Sequence, residues 1–311
     1  MSQEKQLSEI AVISGKGGTG KTSIVASFAA LADGAVLTDC DVDAADLHLI
    51  LEPEVKETHD FTGGKVASAL TDKCIGCGRC EQVCRFGAAL FNGPANQVAE
   101  RTYTIDHISC QGCGGCTHFC PVDAIDFRKE VNGQWFISDT RFGPMVHARL
   151  GPAQENSGKL VSLIRKEAKK LALEQGKELI IADASPGIGC PVIASIAGAD
   201  LVVVVTEPTM SGRHDLGRVI ELEKHFNIPA AVIINKHDIN PEMTAWIEKQ
   251  ATQAQAELLG RINYDAQFTE AQIVAKSIVE YSNGAVTGQV SNLWDSVAKR
   301  IADNSRSKEV S

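Results

Sequence analysis

The chain has 311 residues, which is enough to bury a sizeable core in one large domain or two smaller ones. Its net charge of −9 argues against a general nucleic-acid surface or an anionic-membrane surface. The sequence contains no leader-like segment and no apolar run of about eighteen residues, so we expect a cytoplasmic protein without integral membrane contact. Ten cysteines in such a chain indicate metal binding rather than a disulfide framework.

The first predicted element is a short apolar strand at residues 10–13, which runs directly into a glycine-rich loop. The loop reads Gly15-Lys16-Gly17-Gly18-Thr19-Gly20-Lys21-Thr22, and a helix is predicted from Ser23 onward. A strand, a glycine-rich loop and a helix in this order are typical of a triphosphate site, where backbone N–H groups surround the phosphates. We expect the whole loop and Ser23 to contact the nucleotide, with Lys21 on the β- and γ-phosphates and Thr22 on Mg²⁺.

A second strand, at residues 35–38, ends at the acidic segment Asp39-Cys40-Asp41-Val42-Asp43. Open α/β sheets bind ligands at the carboxyl ends of their strands, and carboxylates at that edge suit magnesium and water. Capping of a helix that starts near Ala44 would account for one of these aspartates but hardly for three. We therefore predict that Asp41 orients or activates the attacking water and also serves as a magnesium ligand.

The alternation of strands and helices stops after about residue 52 and resumes after about residue 144. We therefore predict a discontinuous α/β domain at residues 1–60 and 140–311, with an inserted domain at residues 61–139. The insert carries two similar cysteine runs, Cys74, Cys77, Cys80, Cys84 and Cys110, Cys113, Cys116, Cys120. Zinc is the competing ligand, but zinc ribbons rarely place three cysteines at this spacing before a fourth, and here the pattern occurs twice.

Each run resembles half of a two-cluster bacterial ferredoxin, in which three close cysteines hold one cluster and the fourth reaches the other. By that resemblance, the first [4Fe-4S] cluster is held by Cys74, Cys77, Cys80 and Cys120. The second is held by Cys110, Cys113, Cys116 and Cys84. The resemblance implies electron transfer, with bracing of the fold as the alternative role.

After the insert, the sequence predicts an amphipathic helix at residues 157–174 and a buried strand at residues 179–182 that ends at Asp183. An acid at this strand end is the second magnesium candidate. Two further strands lead to Pro208 and to Asn235-Lys236, which we expect to contact the nucleotide; the latter segment resembles a base-reading loop. A closing helix is predicted at residues 286–301, and the polar tail at 304–311 is predicted to be disordered.

Two cysteines, Cys40 and Cys190, lie outside the two runs. Each is next to a segment that we expect to act as a nucleotide-dependent switch, and a role as a ligand or redox contact is the alternative to packing. Plain packing is nevertheless the favoured interpretation, because an isolated cysteine most often behaves as a small apolar side chain.

With Lys16, Asp41, Asp183 and Asn235 in this order, the chain resembles the MinD/ParA group of deviant-Walker P-loop ATPases, specifically those with an inserted ferredoxin domain. The resemblance implies a mostly parallel, doubly wound α/β sheet with an α+β insert. It also implies Mg²⁺-dependent hydrolysis of ATP to ADP. Lys16 would be the signature lysine that reaches the partner's nucleotide across a dimer interface, and Lys16, Lys21 and Asp41 would form the catalytic set.

The resemblance implies a nucleotide-dependent homodimer, or a heterodimer with a paralogue, that gates electron transfer through two clusters to a redox partner. One alternative is an ATPase that assembles or carries Fe–S clusters for a partner protein, which the complete internal ligand sets disfavour. Another is a MinD-like positioning ATPase with sensory or structural clusters, which the lack of a membrane helix disfavours. No nucleic-acid partner is expected.

Overall fold

The chain divides into two compact units, and the structure, a computed structural model, describes residues 7–151, 157–226 and 228–309. Of these, residues 7–59, 135–149, 157–226 and 228–309 belong to the larger unit. Residues 60–134, 150 and 151 belong to the smaller one. Residues 135–139, which the sequence pattern places in the insert, belong to the larger unit.

The elements of the described chain are numbered here in order. The strands are β1 (Ser8–Ile13), β2 (Val36–Asp39), β3 (Glu54–Phe61), β4 (Gly64–Ala69), β5 (Ala89–Gly93), β6 (Thr102–Ile105), β7 (Ile125–Glu130), β8 (Gly133–Thr140), β9 (Gly143–Leu150), β10 (Leu179–Asp183), β11 (Leu201–Thr206), β12 (Ala230–Asn235) and β13 (Glu257–Ile262). The helices are α1 (Lys21–Leu31), α2 (Leu47–Leu51), α3 (Arg79–Val83), α4 (Gly115–Phe119), α5 (Ser157–Glu174), α6 (Cys190–Ile196), α7 (Met210–Phe226), α8 (Pro241–Gln253), α9 (Gln267–Ile273), α10 (Ile278–Tyr281) and α11 (Ala285–Glu309).

A nine-stranded sheet with the order β13-β12-β11-β1-β10-β2-β9-β8-β3 forms the centre of the larger unit. Every neighbouring pair from β13 to β9 is parallel. The prediction of a mostly parallel α/β sheet is therefore confirmed. Because parallel strands end at one edge, the loops after β1, β2, β10, β11, β12 and β13 all emerge on the same side of the sheet.

Helices cover both faces of this sheet. On one face α1, α2, α10 and α11 form a core with alternate strand residues such as Ile10, Val12 and Val203, and the Phe28 and Trp294 rings meet there at 5.3 Å. The intervening strand residues, such as Ala11 and Val204, are equally buried and point to the opposite face. There α5, α6 and α7 pack against β10, β1 and β11. The sheet is doubly wound.

A buried ion pair ties α5 to the central strand. Arg165 donates to Glu9 Oε1 at 2.6 Å and to the carbonyls of Ala194 and Ala197, which end α6. Lys169 lies 3.0 Å from the other Glu9 oxygen. Both members of the Arg165–Glu9 pair are nearly inaccessible to solvent, so each needs the other to offset its desolvation.

The smaller unit consists of two antiparallel ribbons, β4 with β7 and β5 with β6, and of two short helices, α3 and α4, that pack on each other. Strands β5 and β7 each follow one of the two cysteine runs. Gly112 has a φ of +59°, and a Cβ there would overlap the carbonyl oxygen of Lys65. Only glycine fits this turn between two cysteines.

Three predicted elements differ in the structure. The polar segment after residue 52 is strand β3, which pairs at the sheet edge where side chains face water. The helix expected near Ala44 begins at Leu47. The tail predicted as disordered from residue 304 continues α11 to Glu309, and residues 310 and 311 lie outside the described chain. In the described ranges, no helix is both long and apolar enough to span a bilayer.

Replacement of Arg165 tests the buried pair. Arg165→Met leaves Glu9 without its main partner, and we expect the free energy of unfolding to fall by about 3 kcal/mol. Urea unfolding followed by tryptophan fluorescence measures this, since all three tryptophans lie in the larger unit. The matched control is Lys170→Met, because Lys170 faces solvent and lies 3.9 Å from Glu174 in an exposed pair. Equal midpoints for the two variants would contradict the assignment.

Candidate nucleotide site and cysteine cavities

The loop between β1 and α1, residues 15–22, is called the phosphate loop below. Gly18 and Gly20 have φ of +82° and +88°, and Gly20 is the N-cap of α1. The Asn235 amide at the end of β12 donates to the Thr19 carbonyl at 2.8 Å, and a Cβ on Gly20 would overlap that amide. Asn235 therefore holds the phosphate loop in shape, a role that the sequence did not indicate.

Lys21 opens α1 and forms a buried ion pair with Asp183, the last residue of β10. Burial disfavours the charged ammonium, but the charge of Asp183 and its hydrogen bond outweigh this effect, and the pKa of Lys21 is raised. Lys21 is therefore charged and points toward the edge where β10 ends. This is the position in which a lysine can meet phosphate oxygens.

The three aspartates of the acidic segment after β2 have different environments. Asp39 is fully buried, and its two oxygens accept the N–H groups of Asp41 at 3.0 Å and of Leu47, the first residue of α2, at 3.2 Å. Burial, reinforced by Asp183, raises the pKa of Asp39 well above its ordinary value. Capping thus explains Asp39, while Asp43 is exposed.

Asp41 differs from both neighbouring acids, because it is half-buried and lines the cavity beside the phosphate loop. Burial raises the pKa of Asp41 to about 6, although the charge of Lys21 opposes the shift. A carboxyl group with such a pKa is suited to accept a proton near neutral pH.

Lys16 points to Glu207 at the end of β11, with Nζ 2.6 Å from Oε1. Lys236 donates to the other Glu207 oxygen at 3.1 Å and to the Gly18 carbonyl at 3.0 Å. Burial would raise the pKa of Glu207, but the hydrogen bonds from the two lysines outweigh burial and lower it. The sequence analysis missed Glu207, although an acid at the carboxyl end of a parallel strand is a usable signal.

A cavity of about 330 Å³ opens beside the phosphate loop, a size within the usual range for small-molecule sites. Its lining consists of Ser14, residues 17–23, Asp41, Asp46, Pro186, Asn235, Lys236, residues 263–265, Phe268, Thr269 and Gln272. The predicted residues Gly15, Lys16, Asp183 and Pro208 do not line it within the described chain. Pro208 is buried.

One wall of this cavity was not predicted. It is formed by the segment after β13 and by α9, and Gln272 on α9 donates to the Ser23 hydroxyl at 2.6 Å. The Tyr264 N–H donates to Asp238 at 2.7 Å, which fixes the start of this wall beside the loop that follows β12. The only sequence signal for it was its position after another parallel strand.

The cysteines of each predicted cluster set surround one cavity in the smaller unit. The first cysteine cavity is lined by Cys74, Cys77, Cys80 and Cys120, and the second by Cys84, Cys110, Cys113 and Cys116. Each set combines three thiols of one run with the last thiol of the other. Two equivalent backbone N–H groups point at sulfur, from Ala88 to Cys84 at 3.3 Å and from Ala124 to Cys120 at 3.2 Å.

The remaining cysteines lie outside these cavities. Cys40 is fully buried beside the Thr38 hydroxyl, and burial raises its pKa to about 12, which fits the packing interpretation. Cys190 is exposed at the start of α6, so the interpretation as packing is wrong for that residue. Arg85, which replaces the proline found after the second run, is also exposed and does not line either cysteine cavity.

Gly20→Ala tests the contact that shapes the phosphate loop. The new methyl group meets the Asn235 amide at a residue with φ of +88°, so we expect a lower Tm for the nucleotide-free protein and weaker nucleotide binding. Gly17→Ala is the control, since a Cβ at Gly17 has no atom within 4 Å. Thermal unfolding without nucleotide gives the Tm of both variants. An unchanged Tm for Gly20→Ala would refute the contact.

The family described as the CobQ/CobB/MinD/ParA nucleotide binding domain matches residues 10–278 of the chain. The uncharacterized protein MJ0578 of Methanocaldococcus jannaschii is 35% identical over 235 residues, which cover 75% of this chain and 79% of that protein. The uncharacterized ferredoxin MJ0722 of the same organism is 39% identical over 54 residues, which cover 17% of this chain and 66% of the ferredoxin.

Among solved structures, the chain is similar to the septum site-determining protein MinD from Pyrococcus horikoshii, complexed with Mg-ADP. The TM-score is 0.56 at 17% identity, and the match covers 96% of this chain and 99% of that one. At this identity the likeness shows a shared fold. The family match spans most of the sequence and includes the phosphate loop. The chain therefore belongs to the CobQ/CobB/MinD/ParA family of nucleotide-binding proteins.

Proposed function

We propose that this chain binds and hydrolyses ATP, and that its nucleotide-driven dimer cycle gates electron transfer through two [4Fe-4S] clusters to a partner protein. The observation that carries the proposal is that one chain combines a phosphate loop with two cavities, each lined by four cysteines. Family membership supports the ATPase part, and the similarity to a ferredoxin supports the cluster part.

The residues around the phosphate loop fit a nucleoside triphosphate. The glycines leave space for phosphate against backbone N–H groups, and Lys21 is held in its charged form by Asp183. Thr22, Asp41 and Asp183 are the proposed holders of Mg²⁺, which when bound would neutralise phosphate charge. The MinD of Pyrococcus horikoshii was solved with Mg-ADP, which supports the same ligand class here.

Asp41 is the proposed residue for orienting and activating water. It is the one carboxyl group of the acidic segment that both lines the cavity and has a pKa raised to about 6. Lys21 would stabilise negative charge on the transferred phosphoryl oxygens. Asn235, Lys236 and the wall after β13 are the proposed surroundings of the base and ribose.

The two cysteine cavities fit [4Fe-4S] clusters. Each brings four thiols together from both halves of the insert, and N–H groups of the neighbouring backbone already point at the sulfurs of Cys74, Cys84 and Cys120. Such bonds stabilise thiolate ligands and tune the reduction potential. When bound, the clusters would supply one-electron chemistry.

Lys16 is the proposed dimer residue. In the single chain its charge is matched by Glu207, with Thr209 Oγ1 at 3.4 Å. We propose that closure of two subunits over two ATP molecules exchanges this partner for phosphate oxygens across the interface. A ligand shifts such an equilibrium only by binding the closed state more tightly, which makes the γ-phosphate the trigger. The partner subunit is a second copy or a paralogue.

A second candidate function is an ATPase that assembles or carries Fe–S clusters. The observation that favours it is the exposure of one ligand in each set, Cys77 and Cys113, through which a cluster could pass to an acceptor. Incubation of the iron-loaded protein with an apo-acceptor protein and ATP separates the two functions, because an electron carrier transfers no iron.

Iron analysis tests the cluster sets. The anaerobically purified protein should contain about eight iron atoms and two reducible centres per chain. Cys120→Ser and Cys84→Ser should each remove about half of the iron, and the surviving centre should differ between them. Cys190→Ser is the control and should retain all the iron, because Cys190 lies outside both cavities. A single zinc ion without reducible signals would refute the proposal.

Dimerisation tests Lys16. Lys16→Ala should abolish ATP-dependent dimer formation in analytical ultracentrifugation while changing the Kd for ATP only a few-fold, since Lys16 does not line the cavity of its own chain. Lys166→Ala, which removes an exposed lysine of α5, is the control. A Lys16→Ala variant that still dimerises with ATP, or a wild-type protein that hydrolyses ATP as a monomer, would overturn the assignment.

A further inference from the structure

The smaller unit is an internal repeat with a constant shift of 36 residues. Cys110 lies 36 residues after Cys74, and the same shift relates the other three cysteine pairs. It also relates cavity residues that are not cysteines, such as Gly78 with Gly114 and Ala88 with Ala124. Each cysteine cavity is therefore a reference for the other, and the positions at which they differ show what distinguishes the two sites.

Five positions of the first cysteine cavity break the repeat. They are Ile75, Arg79, Tyr103, Val122 and Ile125, and the residues at the equivalent positions of the other half are Gln111, Gly115, Ala67, Phe86 and Ala89. Most of these exchanges alter shape or polarity. Only the exchange of Arg79 for Gly115 alters formal charge. Among the described residues, Arg79 is the single ionised basic side chain that lines either cysteine cavity.

Arg79 lines the first cysteine cavity together with the thiols. A Cβ built on the equivalent Gly115 would lie 3.8 Å from Cys113 Sγ. By the repeat, the Arg79 side chain starts beside Cys77. Within the described part of the chain, Arg79 has no hydrogen-bond or ion-pair partner that would neutralise it. Arg79 is exposed, so solvent screens part of its charge, but no partner among the described residues offsets the remainder.

Backbone donors reach sulfur in both cavities and do not set one apart from the other. In the first cysteine cavity the N–H groups of Gly76 and Ala124 point at Cys74 and Cys120 sulfurs at 3.5 and 3.2 Å. In the second, the N–H group of Ala88 points at Cys84. Positive charge and N–H donors both stabilise the more negative, reduced state of a thiolate-bound centre.

Two features act in the opposite direction and are weaker. Glu81 accepts a hydrogen bond from the Tyr103 hydroxyl at 2.6 Å. Glu81 and Arg79 are both exposed, but only Arg79 lines the cavity. Gln111 brings an amide to the second cavity, but a neutral dipole acts less strongly than a full charge at similar distance.

We propose that the two cysteine cavities hold redox-inequivalent centres, and that Arg79 gives the first cavity the higher reduction potential. This inference rests on the proposed function, since it needs both centres. A single electron on the protein then resides in the first cavity. If it starts in the second, that centre is oxidised by one electron and the first is reduced by one, with no bond broken and no proton moved. The first cavity is thus the resting place from which an electron leaves for a partner protein.

The test is an EPR-monitored redox titration of the anaerobic full-length protein. The wild type should give two separate midpoints. Arg79→Gln should lower the upper midpoint and leave the lower one in place, whereas Arg79→Lys, which keeps the charge, should retain most of the separation. Gly115→Arg, the reciprocal change, should raise the lower midpoint. Cys120→Ser and Cys84→Ser, each keeping one centre, assign the midpoints to the cavities.

The outcomes separate the inference from the proposed function. A protein with about eight iron atoms and two coincident midpoints, or one in which Arg79→Gln shifts the lower midpoint, overturns the inference alone. A protein that never holds two reducible centres overturns the proposed function. Because Arg79→Gln and Gly115→Arg alter different halves of the unit, failure of one variant to load iron still leaves the other to decide.

Discussion

The buried ion pair between Lys21 and Asp183 is the interaction on which the nucleotide side of the molecule depends. An ammonium group without solvent needs a negative partner, and Asp183 supplies it from the end of β10. The pair fixes the first residue of α1 against the neighbouring strand of β1. The phosphate loop connects β1 to α1, so this pair fixes the end of the loop at α1 relative to the sheet. The charge of Asp183 also acts on the buried Asp39. The Asp39 carboxyl group accepts the N–H of Leu47, the first residue of α2.

The parallel sheet explains how residues far apart in sequence form one site. Six strands end at one edge, and each delivers a polar group there. These are the phosphate loop after β1, Asp41 after β2, Asp183 at the end of β10, Glu207 after β11, Asn235 at the end of β12 and Asn263 after β13. Asn235 bonds to Thr19, and Lys236 bonds to Gly18, so the loop after β12 supports the phosphate loop as well as the cavity wall. The shape of the phosphate loop and the lining of the cavity therefore depend on the same two residues.

The sequence predicts those parts of the molecule that follow from local pattern. The phosphate loop, the aspartates at strand ends and the fold class could be predicted because strand, glycine and acid positions repeat at fixed spacing. The predicted cysteine sets coincide with the two cavities, since the runs carry their own spacing rule. The sequence carries no motif for the cavity wall after β13. Tyr264 and Phe268 reach the cavity only through the packing of this segment.

Two other contacts that the sequence does not predict also depend on how distant segments pack. Pro208 follows a strand at the binding edge, but the turn after β11 buries it and presents Glu207 to Lys16 instead. Arg141, in the β8–β9 turn, donates to the carbonyls of Ile50 and Leu51 and to the Glu280 carboxylate. These partners lie about 90 and 139 residues away in sequence, so no local pattern predicts the contacts. Residues whose roles depend on a partner far along the chain are the ones that sequence reasoning leaves out.

The exchange of the fourth cysteine between the two runs has a consequence for biosynthesis. As the chain is made, Cys74, Cys77 and Cys80 emerge first but lack the fourth cysteine of their cavity until Cys120 follows. The second cavity is completed at Cys116, only one helical turn earlier in the sequence. Under the proposed function, neither cavity could hold a complete cluster until both halves have left the ribosome. Cluster loading would then be a single late event that awaits nearly the whole unit.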